Sequence, residues 1–251
     1  HVKISFQIPE YTSDVNALGT LRLLEIIRHY KKKKIKFYQA SSSEMFGKSK
    51  PPQNEKTLFQ PRSVYAISKV FAYHSVIHYR DAYGLYACNG ILFNHESPRR
   101  GVNFVTKKIV QGLVRIKQGK QKVLTLGNLY SRRDWGHAND YVESMWKILQ
   151  QKKANDFVVA TKTSNSVKDF INICAKKLNI KLIWKNKGLK EIAINKLTNK
   201  IIIKVDQKYF RETEVDNLIG DFSKAKKMLK WKPKYSFDKL IDDMIYDELN
   251  D

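Results

Sequence analysis

Residues 63–94 read SVYAISKVFAYHSVIHYRDAYGLYACNGILFN, and this stretch decides the fold class. Pro61 disfavours helix at Gln60, and Ser63 is placed to cap a helix that starts near Val64. Helical spacing then runs to Gly84, a residue suited to a helix C-cap. YACNGILFN (86–94) follows directly and is strand-like, as is IKFYQAS (35–41) upstream. The alternation continues outward in both directions. VNALGTLRLLEIIRHY (15–30), NFVTKKIVQGLVRIKQG (103–119), ANDYVESMWKILQQ (138–151) and SVKDFINICAKKLNI (166–180) are helical, the last with Ser166 as N-cap. KVLTLGN (122–128) and DFVVAT (156–161) are extended. This rhythm predicts an α/β fold with a parallel sheet covered by helices. After Lys181 the rhythm loosens, and residues 215–250 read as short helices.

The composition supports a packed core. Of 251 residues, 42% are hydrophobic and 12% aromatic, which excludes global disorder. The formal net charge of +23 would attract polyanions. The lysines are spread along the chain, however, and the dense run Lys31–Lys34 reads as a cationic helix end. No zinc-finger spacing or aromatic–basic RNA motif accompanies them, so no nucleic-acid partner is expected. Cys88 and Cys174 are far apart and match no metal spacing. His74 and His78 have the i, i+4 spacing of metal ligands without a third, so they read as packing residues and no metal is expected. With no long apolar run and no visible signal peptide, the expectation is a cytoplasmic protein without a membrane partner.

Ligands of open parallel sheets bind beyond the carboxyl ends of the strands. Three polar clusters follow strand-like runs: SSSE (41–44), NHESPRRG (94–101) and SRRDWGH (131–137). Ser42 and Glu44 stand two apart, which on an extended segment directs a hydroxyl and a carboxylate to one spot. Tyr65 and Lys69 stand four apart on one helix face. A free phenol, with a pKa of about 10, is a poor base at neutral pH. A nearby ammonium and the positive helix end both favour phenolate, so the pair predicts a phenol that takes a proton from an alcohol.

The motifs ASSSEMFG (40–47), PRSVYAISK (61–69), YACNGILFNHESPRRG (86–101), SRRDWGHANDYV (131–142), KYFRETEVDNLIGD (208–221) and KAKKMLKWKP (224–233) resemble the GDP-mannose 4,6-dehydratase family. That family belongs to the extended short-chain dehydrogenases/reductases, and the resemblance runs over nearly the whole chain. It implies a Rossmann-like parallel sheet with a smaller C-terminal α/β region. Residues 1–120 would be the remainder of the NADP-binding part, interleaved with later segments, and 121–251 mainly the sugar-nucleotide part. It also implies a homo-oligomeric NADP-dependent lyase, a dimer or tetramer, that converts GDP-mannose to GDP-4-keto-6-deoxy-mannose and water. Ser42, Glu44, Tyr65 and Lys69 would be catalytic. Tyr11, Lys69, His95 and Arg100 would contact NADP. Asn94, Lys108, Arg133, Arg211 and Glu214 would hold the sugar nucleotide. The family pattern has Thr where this chain has Ser42, which keeps the hydroxyl.

No Gly-x-x-Gly-x-x-Gly phosphate loop occurs in the sequence, and the first residue is His1. The resemblance begins part-way into the family's fold. The expectation is an N-terminally truncated chain that lacks the first strands and, alone, shows no dehydratase turnover. Two other readings compete. One is an epimerase or reductase of the same fold, which would not need the carboxylate of Glu44 for elimination. The other is a basic nucleic-acid-binding protein.

Overall fold

The structure is a computed structural model and describes residues 2–30, 35–210 and 213–250. The Lys31–Lys34 run and Arg211 lie outside the described residues. The chain opens with α1 (Ile4–Gln7), α2 (Pro9–Ser13), a π-helical turn (Asp14–Leu18) and α3 (Gly19–His29). Then come β1 (Lys36–Ser42), α4 (Val64–Tyr83), β2 (Tyr86–Leu92), β3 (Asn94–Glu96) and α5 (Val105–Lys117). After these lie β4 (Leu124–Leu126), β5 (Arg132–Arg133), β6 (Trp135–His137), α6 (Ala138–Leu149), β7 (Phe157–Val159) and β8 (Asn165–Ser166). The chain closes with α7 (Val167–Lys177), β9 (Leu182–Lys185), β10 (Ile192–Asn195), β11 (Ile201–Val205), α8 (Ser223–Leu229) and α9 (Phe237–Asn250).

The helix expected after Pro61 forms as its caps dictate. Ser63 Oγ accepts from the Ala66 amide at 3.1 Å, and Gly84 ends the helix at φ +65°. Ser166 likewise caps α7, reinforced by Asp169, which accepts from the Ser166 amide. β1, β2 and β7 form a parallel sheet in the order β1-β2-β7, with Gln39 opposite Asn89 and Ile91 opposite Val158. Helices α3 and α4 cover one face, and α6 and α8 cover the other. A parallel strand buried on both faces must be apolar, and in β2 every residue from Ala87 to Leu92 is buried. The buried polar exception, Asn89, is paired with Ser41, the Tyr73 carbonyl and Asp156. Asp156 also takes a two-pronged contact from Arg80 at 2.8 and 3.0 Å, which ties the end of α4 to the start of β7.

The second layer departs from the sequence expectation. Where the rhythm loosened, three strands join β4 in a four-stranded mixed sheet in the order β4-β11-β10-β9. β11 runs parallel to β4, and β10 is antiparallel to both β11 and β9. Helices α5, α7 and α9 pack against one another beside this sheet, around a core that includes Leu113, Phe170, Ile203 and Met244. The tail contains two helices, α8 and α9, as expected. Between the layers, β3 and β6 pair in parallel just beyond the carboxyl end of β2, with His95 opposite Gly136.

Candidate active site

A cavity of about 790 Å³ opens at the carboxyl ends of β1 and β2, where the topology predicts it. Ser42, Glu44, Tyr65, Lys69, Asn94, His95, Arg100, Lys108, Arg133 and Glu214 all line it. Tyr11 does not: it sits on α2, 66% exposed and away from the cavity. Arg211 lies outside the described residues.

Ser42 and Glu44 converge for a different reason from the one expected. β1 ends at Ser42, and Ser43–Met45 is a 3-10 turn, so no extended alternation applies. Ser42 Oγ instead caps that turn by accepting from the Glu44 amide at 3.2 Å. This folds Glu44 back beside the strand end, with 8% of its surface exposed. Tyr65 arrives from the first turn of α4. Burial is the main influence on its phenol and pushes the pKa up, a hydrogen bond with Ser42 favours the phenolate, the Glu44 charge opposes it and the Arg100 charge favours it. Tyr65 and Glu44 therefore sense each other across one wall.

The structure sets Lys69 beside Tyr65 in the cavity. Its Nζ lies 5.7 Å from the centre of the Tyr65 ring and donates to the Ala40 carbonyl at 3.0 Å. Burial lowers its own pKa. Against the burial, the Ser42 hydroxyl and the Arg100 charge favour the phenolate.

The facing wall is assembled by tertiary contacts. His95 Nδ1 lies 2.9 Å from the Phe93 carbonyl, which can only accept, so that nitrogen carries the hydrogen. The ring stacks on Tyr141 at 4.8 Å, and burial lowers its pKa, which leaves a neutral ring with Nε2 as an acceptor. The Lys108 ammonium sits 3.6 Å over the ring of Tyr209. Arg133 is 6% exposed, and its Nη1 donates to the carbonyls of Arg132 and Val215 at 2.8 and 2.7 Å. Asp134 is fully buried and accepts from the Thr161 hydroxyl and from the amides of Thr161, Lys162 and Gly220. Burial nonetheless pushes the Asp134 carboxyl up to about 6. Glu214 accepts from the Ser131 hydroxyl at 3.3 Å.

His74 and His78 pack edge-on against Phe59 and Tyr73, and against Tyr79 and Tyr83. Among the described residues, no three His, Cys, Asp or Glu side chains are grouped to hold a metal.

A family model described as GDP-mannose 4,6 dehydratase matches residues 1–244. The chain belongs to the GDP-mannose 4,6-dehydratase family. Curated members include one from Dictyostelium discoideum, 51% identical over 98% of this chain and 69% of the relative. Another, GDP-mannose 4,6 dehydratase 1 of Arabidopsis thaliana, is 53% identical over 99% of this chain and 65% of the relative. The human member is 49% identical over 98% of this chain and 67% of the relative. The chain spans between 62% and 70% of the length of eight curated relatives that it matches.

Solved structures share the fold at lower identity. RMD from Pseudomonas aeruginosa, complexed with NADPH, aligns with a TM-score of 0.84 at 22% identity, over 100% of this chain and 78% of the other. A dTDP-glucose 4,6-dehydratase from Bacillus anthracis, in complex with NAD, aligns at 0.77 and 20% identity, over 95% of this chain and 69% of the other. Among the lining residues that the sequence reading did not single out are Ser131, Glu96 and Tyr209. Glu96 stood within the NHESPRRG cluster that had already been singled out, and Ser131 opened the SRRDWGH cluster.

Proposed function

We propose that this site dehydrates GDP-mannose across C4 to C6 of the hexose, giving GDP-4-keto-6-deoxy-mannose and water, with NADP as the bound hydride carrier. The observation that carries the reading is the convergence of Ser42, Glu44 and Tyr65 on one cavity wall at the carboxyl ends of β1 and β2. The lining suits NADP beside the sugar: Lys69, His95 with an acceptor nitrogen, and Arg100 share the cavity. When bound, NADP would supply the acceptor for the C4 hydride and return that hydride to C6.

The chain's own groups do the proton work. Tyr65 accepts the C4 hydroxyl proton, assisted by the Ser42 hydroxyl. A carbonyl at C4 makes the C5 proton acidic, and Glu44 accepts it. Glu44 and Ser42 then assist departure of the C6 hydroxyl as water. Tyr65 returns its proton to the sugar at C5, and with the C4 hydride given back at C6 there would be no net oxidation. Arg133, Lys108 and Asn94 hold the nucleotide and its pyrophosphate, for which a guanidinium has the right geometry. Glu44 favours the dehydratase over an epimerase, which has no elimination to carry out.

Self-association into a dimer or tetramer belongs to the same reading. Ile67 and Phe71 on α4, and Leu23 and Ile26 on α3, leave apolar surface exposed on one side of the sheet. A cytoplasmic location fits the two buried free thiols, Cys88 and Cys174. Among the described residues, no helix is long and apolar enough to cross a membrane. The decisive experiment titrates GDP-mannose into the protein by calorimetry and follows turnover of the complete protein with NADP. Binding that excess DNA does not displace, with formation of the keto-deoxy sugar, is expected. No GDP-mannose binding, or formation of a C4 epimer instead, would overturn the proposal.

A further inference from the structure

Lys3 has no part in the assignments above, yet it lines the cavity together with Lys108 and Tyr209. It precedes α1, and its Nζ donates to the Lys208 carbonyl at 2.6 Å. The same ammonium lies 5.6 Å from the centre of the Tyr209 ring, and the Lys108 ammonium, from α5, lies 3.6 Å from it. The ring itself is held in place. Tyr209 ends a 3-10 turn (Gln207–Tyr209) in which Asp206 Oδ1 accepts from the Lys208 amide at 3.0 Å. The Asp206 amide donates to the Leu126 carbonyl at 2.9 Å, which joins the turn to the end of β4. A Cβ at Gly127 would stand 2.6 Å from the Tyr209 carbonyl oxygen, so this close approach requires glycine. Among the described residues no carboxylate pairs with the Lys3 or Lys108 ammonium, whereas Asp206 stands 3.8 Å from that of Lys208.

We propose that Lys3 is a further substrate-binding residue, which with Lys108 and the Tyr209 ring forms a subsite for the diphosphate of the sugar nucleotide. The ring face attracts both ammoniums and leaves their N–H donors to a ligand. Lys3 uses one of its three donors on Lys208, so two are left for an anion. Two like charges on one ring repel each other, and an anion between them removes that cost. Burial lowers the Lys108 pKa, Tyr209 opposes the shift, and the charges of Lys208 and Lys3 add to it. A diphosphate is chemistry that a sugar nucleotide and NADP share. The sugar nucleotide fits better, because Lys108 and Tyr209 sit on α5 and on the turn after β11, in the second layer. Lys69, which lies beside the hydride carrier in the reading above, sits on α4 of the first layer.

The inference deepens the dehydratase reading and rests on its placing of a GDP-sugar in the cavity, but its test needs no turnover. Calorimetry compares GDP and GMP binding to the complete protein in the parent, Lys3→Met, Lys3→Arg and Tyr209→Leu, with thermal melting as the check on folding. Lys3→Met should weaken GDP binding by about tenfold and GMP binding by less. Lys3→Arg keeps the charge and should stay within about threefold of the parent. Tyr209→Leu should weaken GDP binding in the same direction by a smaller factor. Added salt should weaken GDP binding more in the parent than in Lys3→Met. NADPH affinity, followed by its fluorescence, should change by less than about twofold in Lys3→Met. Unchanged GDP affinity in folded Lys3→Met, an equal loss for GDP and GMP, or a loss confined to NADPH would overturn the inference. A selective loss of GDP affinity in a protein that forms no keto-deoxy sugar would support the subsite and count instead against the dehydratase reading.

Discussion

Ser42, Glu44 and Tyr65 reach the cavity from a strand end, the turn it caps and a capped helix. Arg133, Lys108 and Glu214 reach it from a two-residue strand, a helix of the second layer and an irregular segment. On the first wall the polar groups engage one another, as Ser42 does with Tyr65. On the second, the cations rest on backbone carbonyls and an aromatic ring. Under the proposed function, the first wall moves protons and the second holds charge. Substitutions on the first wall should reduce kcat, whereas those on the second should weaken binding.

The sharpest break of this comparison is Tyr65→Phe, which removes the proton acceptor while keeping the ring. A loss of roughly 10²–10⁴-fold in kcat is expected, with GDP-mannose affinity little changed. A calorimetric Kd alongside steady-state rates separates the two effects. Asp134→Asn probes the scaffold behind the second wall. Asp134 satisfies four donors with two oxygens. An amide leaves two buried backbone N–H groups facing a donor, so unfolding free energy should fall by about 2–4 kcal/mol in denaturant titrations.

The same residue gives a signed pH dependence. Its folded pKa of about 6 lies above the ordinary carboxylate value of 3.8, so the folded state binds this proton more tightly. Its contribution to stability is complete below about pH 4 and is lost as pH rises through about 6. Melting temperatures across that window should show this component in the parent and not in Asp134→Asn. On the second wall, Arg133→Met should weaken GDP-mannose binding by roughly tenfold to a hundredfold, with a smaller change in kcat at saturation. The smallest effect is expected for Ser42→Thr. It keeps the hydroxyl and adds a methyl in a capped position, so the rate should stay within about threefold.

Much of the first wall was legible because local chemistry fixes it. Ser63 and Gly84 delimit α4, and Tyr65 follows from the cap in register. The βαβ alternation then places SSSE and NHESPRRG at one sheet edge. The hydrogen bond of Lys69 was not legible, since its acceptor is a backbone carbonyl on β1, 29 residues away in sequence. β9, β10 and β11 escaped because they are runs of only four or five residues without a clear apolar–polar alternation, LIWK, IAIN and IIIKV. The tight reversal between β10 and β11 uses Asn199 at φ +56°, which hydrophobic periodicity does not report. Glu96 was quoted within a motif, but its place in the cavity wall depends on β3–β6 pairing and on the approach of Arg100. Tyr11 was assigned by resemblance, and its exposed place on α2 has no counterpart in local pattern.

The most direct measurement is turnover of GDP-mannose by Glu44→Gln in the complete protein with NADP, beside its calorimetric affinity for GDP-mannose. Affinity within about threefold of the parent, with keto-deoxy sugar formation reduced by at least about 10²-fold, is predicted. Turnover by Glu44→Gln within a few-fold of the parent would contradict the claim that this carboxylate and the Tyr65 phenol work on one hexose.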